Sequence, residues 1–316
     1  MKKRYVYRKR KRNIKIVQKK LIIGIMTLIV IISCSFMIKA KFEKDQQKIY
    51  TKAEEVQDFS TENNEENNMD NSGYIPLDKD SNADDAIELF HVTEKLIKGE
   101  LKYPIHTDGK KVVYLTFDDG PSTTNTPKVL DILKENEIKA TFMIMGKNAE
   151  HSNQSKEILR RTAKEGHAIG NHTYSHDYKY LYPNRTIDKN NFMADVEKCN
   201  QALKNILGKD FSTRVIRFPG GYWSWKGREN IRTSMDEKGY AIIDWNTLSG
   251  DAEGSKPKNA NELVEELKTN LEKLGKNADS VIVLMHDTYG KEETVKSLQS
   301  IIDVFKEKGF EFRTIK

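Results

Sequence analysis

The C-terminal two thirds of the sequence predict an α/β domain built from parallel β/α units. Short apolar runs rich in β-branched residues alternate with amphipathic stretches over about 200 residues, the pattern typical of such units. Polar residues suited to chemistry follow several apolar runs, as at the carboxyl ends of strands in β/α barrels. Glycines follow several amphipathic stretches, where helices commonly end; they are Gly166, Gly208, Gly239, Gly275 and Gly309.

The apolar runs predict seven strands, each four to six residues long. In the first predicted helix, the apolar spacing of Val129, Leu130, Ile132 and Leu133 suits a single helix face. Seven such units can close into a barrel or leave the sheet open. The predicted strands are 112–117, 140–145, 168–171, 215–218, 240–245, 281–285 and 310–315, and the predicted helices are 127–136, 155–165, 189–207, 229–238, 260–274 and 292–308.

The basic charge of the chain is concentrated at its start. Residues 1–20 contain eleven Lys or Arg and no Asp or Glu, which leaves 42 basic against 47 acidic residues in the remainder. The net charge of +6 therefore belongs to a short basic tail, predicted to be cytoplasmic. It does not indicate a nucleic-acid-binding body, because the rest of the chain has no basic stripe with interleaved aromatic residues.

Residues 21–38 form an uncharged apolar run and predict a transmembrane helix. Their 18 residues would span roughly 27 Å as a helix, close to the ~30 Å hydrocarbon core of a bilayer. The positive flank predicts a single pass through the cytoplasmic membrane, with the C-terminal domain outside and facing the cell wall. Two alternatives remain open: a cleaved signal peptide, and lipid attachment at Cys34, although the apolar run continues beyond that residue.

Residues 39–100 are rich in Glu, Asp, Asn and Lys and predict a disordered linker or stalk. A short helical pattern interrupts it at 84–99, and the catalytic domain is predicted at 101–316. Only two cysteines are present, Cys34 and Cys199. They are predicted to lie on opposite sides of the stalk, so the domain folds without a disulfide and without a cysteine zinc site.

A divalent metal site is predicted where DDGP, at 118–121, meets HTYSH, at 172–176. One carboxylate and two imidazoles offer three ligands, which leaves a fourth tetrahedral position open, as in catalytic zinc sites. The neighbouring carboxylate could act as a base. Taken separately, DDGP is a common turn sequence and the histidines could be an exposed pair. Zinc is the leading metal, but cobalt and nickel accept the same ligands.

Five segments together resemble the polysaccharide deacetylase family, the NodB homology domain of carbohydrate esterase family 4. They are TFDDGPS at 116–122, HTYSH at 172–176, RFPG at 217–220, LMH at 284–286, and Asp251. The resemblance covers about residues 108–316 and implies a distorted (β/α) barrel with about seven strands. The fourth motif of the family is normally Asp-Trp, whereas Ala252 follows Asp251 here; Trp245 is predicted to keep a wall of the site.

The resemblance also implies roles for individual residues. Asp119, His172 and His176 would hold the metal, and Asp118 would be the base. Arg217 would position Asp118, and His286, tuned by Asp251, would be the general acid. The backbone N–H of Gly220 would stabilise the oxyanion, and Leu284 would line the acetyl pocket. The substrate-binding candidates are Pro219, Gly220, Tyr222, Trp245 and Leu284; the aromatic run of Tyr222, Trp223 and Trp225 could stack on sugars or pack in the core.

The implied function is metal-dependent removal of the acetyl group from N-acetylglucosamine in peptidoglycan, because an exported domain on a stalk meets the cell wall first. The freed amines would raise resistance to lysozyme. Muramic acid, chitin-type oligomers and O-acetyl xylan are alternative substrates. A non-catalytic glycan-binding domain is a further alternative, to which Ala252 gives slight support. No G-x-S-x-G nucleophile is present, so no covalent intermediate is expected.

Overall fold

The structure, a computed structural model, describes residues 73–316. The predicted basic tail 1–20, the transmembrane helix 21–38 and the linker up to residue 72 lie outside the described residues. Within 73–316, no helix is both long enough and apolar enough to cross a bilayer.

The described chain alternates strands with helices from residue 112 onward, as the sequence predicts. The strands are β1 (Ala83–Asp84), β2 (Val112–Gly120), β3 (Thr141–Ile144), β4 (Ala168–Asn171), β5 (Val215–Ile216), β6 (Ala241–Ile242), β7 (Thr247–Leu248), β8 (Ser280–His286), β9 (Glu311–Phe312) and β10 (Thr314–Ile315). The helices are α1 (Ala86–Ile97), α2 (Thr126–Glu135), α3 (Gly146–Ala149), α4 (Asn153–Lys164), α5 (Tyr178–Leu181), α6 (Lys189–Leu207), α7 (Arg228–Glu237), α8 (Ala260–Leu274) and α9 (Glu292–Glu307).

Eight of these strands form one parallel sheet in the order β6-β5-β4-β3-β2-β8-β7, with β9 also paired to β2. The two edge strands, β6 and β7, are separated by only four residues of chain. Since so short a segment spans at most about 18 Å, the edges must approach each other and the sheet must curl. The result is a curled half-barrel with helices around it, consistent with the predicted (β/α) fold, although β6 and β7 do not pair.

Most predicted elements agree with the structure, and the differences have local causes. β4, α6 and α8 have the predicted bounds. The predicted strands 215–218 and 240–245 shrink to the two-residue strands β5 and β6, because the chain leaves the sheet there to build loops. The predicted strand 310–315 divides into β9 and β10, which pair with β2 and β1 respectively. β7 was not predicted, since two residues carry no detectable periodicity.

The folded domain begins before the boundary predicted at residue 101. β1 pairs in parallel with β10, in the register Ala83↔Thr314. Helix α1 follows, capped by the Asp85 side chain, which accepts a hydrogen bond from the Ile87 N–H, and it buries Leu89 and Phe90. The short predicted helix is therefore present, but it is part of the domain rather than of a disordered stalk. The strand that pairs with β1 lies more than two hundred residues away in the sequence, so local patterns could not predict this pairing.

Apolar side chains cover both faces of the sheet, which explains why its strands read as continuous apolar runs. In β2, Leu115 and Phe117 belong to one buried cluster, whereas Tyr114 belongs to a second. In the second cluster, Phe192 of α6 stacks on Phe218 with ring centroids 3.9 Å apart. Apolar packing therefore fills the body of the domain and leaves the carboxyl ends of the strands for polar residues.

Candidate metal centre and active site

The structure brings Asp119, His172 and His176 together at the carboxyl ends of β2 and β4. The Nε2 atoms of His172 and His176 each lie 3.4 Å from Asp119 Oδ1, and one ligand atom from each residue falls within 4.8 Å of the others. Bonds of about 2 Å to a tetrahedral zinc place the ligand atoms about 3.3 Å apart. The distances between the three ligand atoms therefore suit the binding of one shared cation.

The donor atoms are also prepared for a cation. Asp119 Oδ1 is buried and has no hydrogen-bond partner among residues 73–316, which is costly unless a bound group compensates it. The His172 Nδ1 atom lies 2.9 Å from the Arg217 carbonyl oxygen. That contact leaves Nε2 free for a metal, the usual arrangement around ligating histidines. Burial, together with the nearby His176, lowers the pKa of His172 to about 3, so the imidazole is neutral.

The loop that carries the two histidines is held by Asp195, a residue that the sequence did not single out. Its Oδ2 atom accepts hydrogen bonds from the N–H groups of Tyr174 and Ser175, at 3.0 and 2.8 Å. Thr173 and His176 have φ of 64° and 52°, a left-handed conformation that is disfavoured for residues other than Gly. The sequence feature that could have drawn attention to Asp195 is its position on the apolar face of α6, where a carboxylate needs a partner.

A metal bound at this site should stabilise the folded protein. We expect Zn²⁺ added to metal-free protein at about 100 times its dissociation constant to raise Tm by roughly 5–10 °C, because the ion binds only the folded state. The His176→Ala variant should lose most of this shift, as measured by differential scanning calorimetry. His151→Ala, which removes an exposed histidine outside the site, should keep it. An undiminished shift in His176→Ala would exclude this residue as a ligand.

Asp118 lies beside the metal ligands and is fixed by Arg217. The Arg217 Nη1 atom donates to Asp118 Oδ1 at 2.7 Å, and Asp118 Oδ2 is 3.5 Å from His172 Nε2. The other donors of Arg217 reach the Thr116 hydroxyl and the carbonyl oxygens of Ile243 and Asp244, at 2.7, 2.8 and 3.1 Å. Arg217 is fully buried, so one planar cation joins β2 to the ends of β5 and β6.

Removing Arg217 should destabilise the fold strongly. We expect Arg217→Gln to lower the free energy of unfolding by about 3–5 kcal/mol, because it leaves the buried Asp118 charge without its partner. Arg214→Gln is the matched control. Its side chain is 40% exposed and pairs with Asp85 at 3.0 Å, so the loss should stay below about 1 kcal/mol. Equal shifts in the urea midpoints of the two variants would contradict a structural role for the buried pair.

Asp251 and His286 form a second pair at the same end of the sheet. The His286 Nδ1 atom lies 2.9 Å from Asp251 Oδ1, and Asp251 Oδ2 accepts the His286 N–H at 2.8 Å. Thr294 also donates to Asp251. Burial opposes protonation of His286, but the hydrogen bond and charge of Asp251, followed by the charges of Asp118 and Asp119, raise its pKa to about 9. His286 therefore carries a proton at neutral pH.

Gly220 lies at the rim of the site in a conformation suited to its predicted role. Its φ is +74°, and its N–H has no acceptor among the described residues, so it can donate to a ligand. Next to it, the Pro219 carbonyl accepts a hydrogen bond from Trp225 Nε1 at 2.9 Å. The turn is held by Asp244, which the sequence did not single out. Asp244 accepts the Tyr222 N–H at 2.9 Å, and burial raises its pKa to about 6.

The remaining substrate-binding candidates divide into two groups. The half-buried ring of Trp245 lies beside Arg217, with its centroid 5.7 Å from the guanidinium carbon, and Leu284 is buried in β8. Tyr222, in contrast, is only 4% exposed and its hydroxyl donates to the Arg228 carbonyl. Of the two roles left open for Tyr222, the structure shows packing in the core, because its ring lies against Phe218, and not stacking on a sugar.

The glycine of DDGP has a structural reason in the fold. A Cβ at position 120 would lie 2.5 Å from the Asp287 Oδ1 atom, closer than van der Waals contact allows. Asp287 is fully buried and accepts a hydrogen bond from the Thr126 hydroxyl at 2.6 Å. Burial raises the pKa of its carboxyl to about 7. Asp287 thus packs against the turn that contains Asp119 and Gly120.

Comparison with known proteins agrees with the fold. The family described as "Polysaccharide deacetylase" matches residues 106–242. A peptidoglycan-N-acetylglucosamine deacetylase of Bacillus cereus is 34% identical over 209 residues, which cover 65% of this chain and 67% of the relative. A chitin deacetylase of Colletotrichum lindemuthianum is 36% identical over 208 residues, 65% of this chain and 77% of the relative. A solved CE4 esterase of Streptococcus mutans is 37% identical with a TM-score of 0.62, covering 68% of this chain and 92% of that structure.

The curled parallel sheet and the polar groups gathered at its carboxyl edge define a β/α domain with a candidate metal centre at one end of its strands. The chain belongs to the polysaccharide deacetylase family, the NodB-type domain of carbohydrate esterase family 4.

Proposed function

We propose that this protein removes the acetyl group from N-acetylglucosamine residues of cell-wall peptidoglycan in a metal-dependent reaction. The observation that carries the proposal is the placement of three functions at one edge of the sheet: a metal-binding triad, the fixed carboxylate Asp118, and the protonated His286. A divalent cation held by Asp119, His172 and His176 would polarise the acetamide carbonyl and lower the pKa of the attacking water. Side chains of the protein itself would carry out the proton transfers.

Asp118 would accept the proton of the attacking water. Arg217 holds one carboxylate oxygen at 2.7 Å, which leaves the other, Oδ2, on the side of His172 and the metal triad. A base must be within hydrogen-bond reach of the proton that it takes. The Arg217 contact therefore orients Asp118 so that its free oxygen faces the metal triad.

His286 would donate a proton to the leaving nitrogen. Its Nδ1 atom is occupied by Asp251, so Nε2 is the atom available for the substrate. A raised pKa keeps the imidazolium populated at neutral pH, which a general acid for a poor amine leaving group requires. The Gly220 N–H would donate to the developing oxyanion, a contact that can contribute several kcal/mol to the transition state.

Relatives and predicted location together favour peptidoglycan as the substrate. Among similar proteins, several are peptidoglycan-N-acetylglucosamine deacetylases, whereas others act on chitin or chitooligosaccharide. We propose an extracellular location at the cell membrane, on the basis of the apolar run at 21–38. A glycan freed of acetyl groups carries amines, so we further propose that the activity raises resistance to lysozyme.

Muropeptide analysis tests the substrate directly. Full-length protein incubated with N-acetylated peptidoglycan and Zn²⁺ should yield muropeptides that lack one acetyl group on glucosamine, and a chelator should prevent this. Mass-spectrometric fragments separate glucosamine from muramic acid. Deacetylation confined to muramic acid, or to chitooligosaccharide or acetylated xylan supplied in parallel, would contradict the proposal. Glycan binding without acetate release would favour the non-catalytic alternative.

A further inference from the structure

One exposed tyrosine beside the site has a hydroxyl that the fold leaves unused. Tyr178 is the first residue of α5, two positions after His176, and its side chain is 45% exposed. Among residues 73–316, its hydroxyl has no hydrogen-bond partner. The first turn of α5 is fixed because Asp177 accepts the N–H groups of Lys179 and Tyr180. The ring is therefore held in place while its polar end is free.

The Tyr178 hydroxyl lies close to Gly220, at a position where a side chain on residue 220 would crowd it. A Cβ at Gly220 would lie 3.1 Å from the Tyr178 hydroxyl oxygen. The Tyr178 ring also packs against His176, with centroids 5.2 Å apart, and edge-on against Trp225, at 5.3 Å. The hydroxyl thus lies between a metal-ligating histidine and the glycine whose N–H is free to donate.

We propose that the Tyr178 hydroxyl is a second hydrogen-bond donor to the oxyanion formed from the acetyl carbonyl, beside the Gly220 N–H. The inference rests on the proposed deacetylation and names one more residue that touches the reacting group. A phenol is both donor and acceptor and keeps its proton at neutral pH. The absence of a side chain at Gly220 leaves room for this hydroxyl, because a Cβ there would make a tight 3.1 Å contact with it.

Tyr178→Phe isolates the hydroxyl, since the ring contacts with His176 and Trp225 are retained. The loss should be in kcat, because an interaction with the oxyanion is made mainly in the transition state. We expect a fall in kcat of about ten-fold, less than for a fully enclosed oxyanion donor because the site is open to water. KM should change by less than about two-fold. Tyr180→Phe is the matched control, since Tyr180 is 41% exposed on the same short helix.

A binding measurement makes the test independent of the glycan. Acetate, the product, places a carboxylate where the oxyanion forms. Calorimetric titration of acetate into zinc-loaded full-length protein should show about ten-fold weaker binding for Tyr178→Phe, the size of a hydrogen bond to a charged group. Tyr180→Phe should bind acetate as the unaltered protein does, and both variants should retain one zinc per chain.

The outcomes separate this inference from the proposed substrate. If peptidoglycan is left intact but Tyr178→Phe still weakens acetate binding, the substrate proposal fails and the role of Tyr178 stands. Equal acetate affinities in both variants would overturn the role of Tyr178, whichever glycan is cleaved. Loss of zinc from Tyr178→Phe would also overturn the role of Tyr178, because the effect would then lie in metal retention. Failure of the unaltered protein to bind acetate would overturn it as well.

Discussion

Asp118→Asn is expected to lower kcat by about 10²–10⁴-fold, the usual contribution of a general base, without releasing the metal. The amide oxygen of Asn can still accept the hydrogen bond from Arg217 that now measures 2.7 Å, so the geometry should be preserved while the basic oxygen is lost. Acetate release from peptidoglycan and metal content by atomic absorption, measured on the same sample, check the two halves of this expectation.

The matched control for this substitution is Asp303→Asn, which makes the same chemical change at an exposed position on α9. It should leave both turnover and metal content unaltered. Turnover of Asp118→Asn close to that of the unaltered protein would remove Asp118 from the role of base. Loss of metal from Asp118→Asn would instead assign Asp118 to metal binding.

The second large effect is expected at His286 and concerns the pH dependence of kcat. A general acid works in its protonated form, and the pKa of His286 is raised to about 9. The rate should therefore be sustained at neutral pH and should fall as the pH rises through this value. A cation that offsets the charges of Asp118 and Asp119 weakens part of this shift, so the inflection is expected at or below about 9. Measuring kcat between neutral pH and pH values above the inflection checks it.

Two substitutions assign that alkaline limb to the pair. His286→Gln should reduce kcat by about 10²–10⁴-fold and remove the limb, since no proton donor remains. Asp251→Asn should move the limb to lower pH, because the hydrogen bond and charge that raise the pKa of His286 are lost while burial still favours the neutral imidazole. An unchanged limb in Asp251→Asn would contradict tuning of His286 by Asp251.

Local patterns predicted the elements because each periodicity is a property of neighbouring residues. The apolar run of β2 and the helical spacing of α6 and α8 each lie within one short segment of the sequence. The predicted bounds of these elements differ little from those in the structure. Ligands at strand ends were predictable for a topological reason. In a parallel sheet all carboxyl ends lie on one side, so Asp119 and His172 had to meet at the same edge.

Other features depend on contacts between segments that are distant in sequence. The stalk was predicted too long because nothing within residues 83–100 reveals that β1 pairs with β10. For Tyr222 the sequence left sugar stacking and core packing both open, because an aromatic run has the same pattern whether it is buried or exposed. Asp244 was missed because a carboxylate that accepts hydrogen bonds from a loop has no sequence signature of its own. Asp195 was missed although its position on the apolar face of α6 sets it apart.

The sequence by itself determined the class of the fold, the family, and the identity of the residues able to bind a metal and move protons. These depend on side-chain chemistry and on short-range order, which a single chain displays directly. Only the tertiary structure decided that Tyr178 lies against Gly220 and where the domain begins. Both depend on contacts between segments that are distant in sequence. Such contacts form only in the folded protein, so local periodicity does not reveal them.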